Sequence, residues 1–104
     1  MEAIIITITA PNEDEAADIA GALVEARLAA CVNITGGVRS IYTWEDKIAD
    51  ETEVMLIVKT RRELFNAVKA KVIEMHSYSI PEIIAIPIID GSEDYMNWLE
   101  EVTS

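Results

Sequence analysis

The chain has 104 residues, 51% of them hydrophobic, and its 19 acidic and 8 basic side chains leave a net charge of −11. This length makes a single domain, residues 1–104, around one core, and the apolar share exceeds what a small monomer easily hides. The acidic field excludes nucleic acid, because such binders release phosphate counterions through Lys and Arg.

No apolar run approaches the roughly 20 residues of a membrane span. The start, Met1-Glu2-Ala3-Ile4, lacks the basic segment of a secretion signal, and the single Cys31 cannot close an internal disulfide. A cytoplasmic, reducing location is therefore expected.

Glu2 to Thr9 clusters Ile with Thr and reads as a buried strand, ended by Pro11-Asn12. Asn12 to Glu15 has the form of a capping box, and Ala16, Ile19, Ala20, Leu23 and Arg27 follow at helical spacing. Cys31 to Trp44 is a second strand region in which Gly36-Gly37 marks a bulge or bend. Trp44-Glu45-Asp46-Lys47 is the hairpin tip, and Val54 to Val58, almost wholly apolar, is a third, central strand. Thr60 to Glu63 repeats the capping-box pattern before a second helix carrying Leu64, Ala67, Val68, Val72 and Met75. Ile83 to Ile88 is the fourth strand, and Ser92 caps a last helix whose Tyr95, Trp98, Leu99 and Val102 share one face. The order β-α-β-β-α-β with a terminal helix predicts an α+β, ferredoxin-like sandwich, both crossover helices lying on one face of an antiparallel sheet.

The segment Met75 to Ile89 gathers chemistry: the only histidine, His76, stands close to Tyr78, Pro81 and Glu82 at the mouth of a strand. His76, Cys31, Glu82 and the four Met residues offer metal donors, but no H-x-x-x-H or C-x-x-C spacing builds a tight site within one chain. Symmetry could still gather copies of one residue around an axis. The competing readings are a buried small hydrophobe for Cys31 and a helix-end cap for His76. Catalysis through Cys31, His76 and Glu82 has little support, since no helix start or basic neighbour activates Cys31. Lys59 either binds an anion at the following helix N-terminus or pairs with a carboxylate. Tyr42 and Trp44 near the hairpin tip read as a protein contact surface, because RNA-binding modules of this fold carry aromatics on the central strands beside basic residues.

Ala30-Cys31-Val32-Asn33-Ile34, Ser40-Ile41-Tyr42-Thr43-Trp44-Glu45, Lys59-Thr60 and Met75 to Ile89 together resemble the CutA family, the divalent-cation tolerance proteins. The resemblance covers nearly the whole chain. It implies a PII-like homotrimer in which the hairpin Asn33 to Lys59, with Tyr42 and Trp44, pairs along a neighbour. It further implies clefts between subunits lined by Cys31, Lys59, His76, Tyr78, Pro81 and Glu82. The function so implied is non-enzymatic: tolerance of a divalent cation such as copper, through weak metal or small-ligand binding, with no required cofactor. The alternative is a PII-like signalling module that binds a small anion and a partner protein; a small hydrolase or isomerase acting through His76 and Glu82 ranks last. Two positions depart from the family pattern: Asp46 stands where Gly is usual, and Ser79 where an acidic residue is usual.

Overall fold

The Ile-rich first segment folds as β1 (Ala3–Ala10), with a strand bonded on each side of it. The computed structural model describes residues 1–104. After β1 come α1 (Glu13–Glu25), β2 (Cys31–Trp44), β3 (Lys47–Arg61), a 3-10 turn (Arg62–Leu64), α2 (Phe65–Met75), β4 (Ile83–Pro87) and α3 (Glu93–Val102). The strands lie in the order β2-β3-β1-β4, each pair antiparallel, which is the predicted ferredoxin-like arrangement with its added helix.

Alternation along the strands sorts the side chains into two faces. Ile4, Ile6 and Ile8 of β1 and Val54, Leu56 and Val58 of β3 turn to one face, where Ile19 and Leu23 of α1 and Val68 and Val72 of α2 close the core. The small residues Ala16 and Ala20 let α1 lie close on the sheet. At one end of the other face sits α3, its Leu99 buried. Arg61 of β3 donates to Thr103 Oγ1 at 3.0 Å and to the Glu100 carbonyl, and Arg27 donates to the Glu101 carbonyl at 3.1 Å. The helix has no basic residue in its last turn, so these two guanidiniums supply the positive charge its carbonyl end favours.

Four expectations need correction. The third strand is not confined to Val54–Val58: β3 runs from Lys47 to Arg61, and its polar outer part pairs with β2 as a ribbon that β1 does not reach. Thr60 does not cap a helix. It lies in β3, fully buried, and its hydroxyl donates to the Leu28 carbonyl at 2.7 Å, while α2 begins at Phe65 without a side-chain cap. Asn12 does cap α1, accepting from the Glu15 N–H at 2.8 Å, but the Glu15 carboxylate turns away and accepts from the Ser77 N–H and hydroxyl at 3.1 and 3.0 Å. Ser92 stands at the N-cap position of α3 without making the side-chain hydrogen bond.

Candidate ligand cleft

A bulge decides what the outer hairpin presents. Thr35 faces Met55 and Val38 faces Glu53, so Gly36 and Gly37 together stand against Val54 alone. Gly37 takes φ +70°, a left-handed angle that suits glycine. Up to Thr35 the odd-numbered residues of β2 share the open face with Met55 and Ile57; beyond the bulge the even-numbered ones do. Ser40, Tyr42 and Trp44 consequently share a face with Glu51 and Glu53. The tip then closes in two residues, Glu45 at φ 50° and Asp46 at φ 63°, the backbone of a type I′ turn.

These side chains form one wall of a cleft of ≈ 690 Å³. Thr9 forms its floor, and Tyr78, Ser79, Ile80 and Glu82, from the segment between α2 and β4, form the other wall. Tyr78 donates to Glu53 Oε2 at 2.8 Å and Tyr42 to Glu51 Oε2 at 3.1 Å, while Glu82 accepts from Thr7 Oγ1 at 3.0 Å. No basic residue lines the cleft, and none of its three carboxylates has a basic partner within ion-pair distance. Burial pushes the Tyr78 hydroxyl well above the usual tyrosine range, and the neighbouring Glu53 carboxylate pushes it further. Tyr42 is raised by desolvation and by Glu51.

His76 lies beneath this wall. Its ring is wholly buried, with Nε2 2.7 Å from the Thr9 carbonyl and Nδ1 accepting from the Tyr78 N–H at 3.0 Å. With Nδ1 accepting, Nε2 carries the hydrogen given to Thr9. Glu15 Oε2 stands 3.4 Å from Nδ1. Both nitrogens are thus engaged, and neither offers a lone pair to a metal in this conformation. The imidazole ties the ends of β1 and α2 and sets the backbone that aims Tyr78 at Glu53.

The expected donors do not converge. Cys31 sits across from Lys59 at the far end of β2, beside Tyr95 of α3, and no three His, Cys, Asp or Glu side chains come together as a metal site within the chain. Lys59 is five residues short of the 3-10 turn's end, within β3 and in register with Ile5, so it does not stand at the N-terminus of α2. Of the predicted cleft residues, Tyr78 and Glu82 line the groove, joined by Tyr42 and Trp44; Cys31, Lys59, His76 and Pro81 do not. Glu51 and Glu53 were missed. Their spacing of two, just before an apolar strand, is the signal that would have found them: both belong on one face of any strand extended toward the tip.

A ferredoxin-like domain with a long projecting hairpin and an acidic, aromatic cleft at its base is the class of protein that these features define. The sequence model of the CutA1 divalent ion tolerance proteins matches residues 4–102. The chain is 47% identical over 99 residues to the divalent-cation tolerance protein CutA of Thermus thermophilus, covering 95% of this chain and 96% of that one. It is 41% identical over 100 residues to the chloroplastic CutA of Arabidopsis thaliana, covering 96% of this chain but only 55% of the longer plant protein. The solved structure of the periplasmic divalent cation tolerance protein CutA from Archaeoglobus fulgidus superposes with a TM-score of 0.95 at 46% identity, covering 98% of this chain and 99% of that one. The chain belongs to the CutA1 divalent ion tolerance family. Its relatives occupy different compartments, chloroplast and periplasm among them. No helix here is long and apolar enough to cross a membrane.

Proposed function

We propose that this protein acts as a non-enzymatic homotrimer in the tolerance of divalent cations, copper among them, by weak binding of metal or a small ligand in clefts between subunits. The observation that carries the reading is the outer hairpin. Beyond Val54 it has no third strand, and an isolated two-stranded ribbon is marginal in water. Its Ile41 and Ile48 are 64% and 81% exposed, and Ile84 and Ile86 stand open on the edge strand β4. Neighbouring copies that pair along these edges would cover both. The half-exposed Cys31 thiol and Glu82 are the expected metal donors that stay accessible, in a chain whose acidic field concentrates cations. A free thiol also agrees with a reducing, cytoplasmic setting. A non-catalytic role accords with the separation of Cys31 from His76 and with the engagement of both imidazole nitrogens. The signalling alternative, with a small anion as ligand, is disfavoured by a cleft bearing three carboxylates and no cation.

Native mass spectrometry of the untagged protein with a slight excess of Cu²⁺ tests the proposal. A trimer that takes up a fixed number of ions, fewer in Cys31→Ser or Glu82→Gln, supports it. A monomer, or a broad distribution of adducts unaffected by these changes, overturns it.

A further inference from the structure

The cleft has a lining that a bare metal ion does not need. Tyr42, Trp44 and Tyr78 place three aromatic rings around Glu51, Glu53 and Glu82. Glu53 is only 6% exposed, yet no basic side chain neutralises it. Its Oε2 accepts from Tyr78, whereas its Oε1 has no hydrogen-bond partner; since no buried polar atom is left unsatisfied, that oxygen opens on the cleft. Holding a carboxylate this deep without a counter-charge is costly, and a cation that brings N–H donors removes the cost.

The ligand's class follows from the walls. A divalent ion needs several converging oxygen ligands, and no three acidic, His or Cys side chains meet in that way. Two of the three carboxylates are also fixed by tyrosine hydroxyls, which limits their swing toward a common centre. An organic ammonium ion asks for less: one hydrogen-bonded charge partner, and aromatic faces for cation–π and apolar contact with its alkyl part. At ≈ 690 Å³ the cleft has the size of a small-molecule site. We propose that it binds a small primary or secondary amine in its protonated form, with an N–H directed at Glu53 Oε1, Glu51 beside it and the carbon chain lying on Tyr42, Trp44 and Tyr78. This rests on the small-ligand reading of the proposed function, with this groove, which Glu82 lines, taken as one chain's share of the cleft between subunits.

Isothermal titration of the full chain, as its native assembly, with n-butylammonium, tetramethylammonium, n-butanol and, separately, Cu²⁺ tests it. The expected order is n-butylammonium tightest, tetramethylammonium weaker for want of an N–H, and n-butanol undetectable. Glu53→Gln, which keeps an acceptor for Tyr78, weakens n-butylammonium by about tenfold or more. Trp44→Leu, at an exposed position, weakens both ammonium ions and guards against a folding defect in the first variant. Equal binding of n-butylammonium and n-butanol, or an unchanged Glu53→Gln, overturns the proposal. So does Cu²⁺ binding that depends on Glu53 with no binding of the amine, an outcome that preserves the metal reading of the cleft. No binding of either class overturns both readings.

Discussion

Replacing His76 by Ala separates a structural imidazole from a metal ligand. The ring is buried and bridges the Thr9 carbonyl at 2.7 Å and the Tyr78 N–H at 3.0 Å, with the Tyr78 ring centroid 4.7 Å away. The pairing of β4 with β1 stops at Ile8, one residue before Thr9. The two lost hydrogen bonds are worth about 1 kcal/mol each, and stranding their backbone partners away from water adds about 1 kcal/mol more, for a total of about 3 kcal/mol. With a urea slope of about 2 kcal/mol per M, the unfolding midpoint falls by about 1.5 M. The comparison is made with a chelator and at one protein concentration, since the stability of an assembly depends on concentration. His76→Gln, whose amide can still donate, recovers part of the loss. An unchanged midpoint without metal, together with a loss that appears only when Cu²⁺ is added, would refute the reasoning and return His76 to the role of ligand.

The tip carries two non-glycine residues at left-handed angles, Glu45 and Asp46, where a type I′ turn favours Asn-Gly. The double change Glu45→Asn and Asp46→Gly should raise the unfolding free energy by about 1 kcal/mol in urea titrations; no gain would mean that contacts at the tip outweigh backbone strain. All three tyrosines are held above their ordinary value of 10.0, Tyr42 and Tyr78 chiefly by burial and glutamates, Tyr95 by burial and Cys31. Because the fold prefers the neutral phenol, this stability is complete below pH 10.0 and drains away as pH rises through the folded-state values. Phenolate absorbance should therefore lag behind that of the urea-unfolded chain above pH 10.0, and Tyr78→Phe should flatten the alkaline loss of stability. Coincident titration curves would contradict both.

Much of the fold is legible because its signals are local. The Ile-rich β1, the small apolar face of α1, the Glu45-Asp46 tip and the Tyr95 to Val102 periodicity each announce themselves within a dozen residues. The outer part of β3 does not. Lys47 to Glu53 is polar because it projects past β1, so it lacks the apolar alternation of a half-buried strand. Thr60 misled for a related reason: Thr followed three residues later by Glu resembles a cap, but its hydroxyl is committed to Leu28, 32 residues away in sequence. The site was only half visible. Tyr78 and Glu82 stand out in their motif, whereas Glu51 and Glu53 belong to the site through a β2–β3 register that composition does not reveal. His76 drew attention as the sole histidine, although its partners are backbone groups that no sequence pattern marks.

The Gly36-Gly37 bulge makes the cleft a matter of counting. Side chains change sides at every step along a strand, and the two glycines against Val54 count as one step. Pairing both regularly would turn Arg39, Ile41 and Thr43 toward Glu51 and Glu53 and send Tyr42 and Trp44 to the back, whereas removing one of them would keep the present faces. Insertions past Trp44, matched on both strands, lengthen the arm and leave the site alone, and a single extra residue between Thr35 and Val38 is absorbed only as a bulge. Two relatives with the same tyrosine and tryptophan in an alignment therefore need not share a binding site. Comparing such chains requires the spacing across the bulge first, and the identities of the lining residues second.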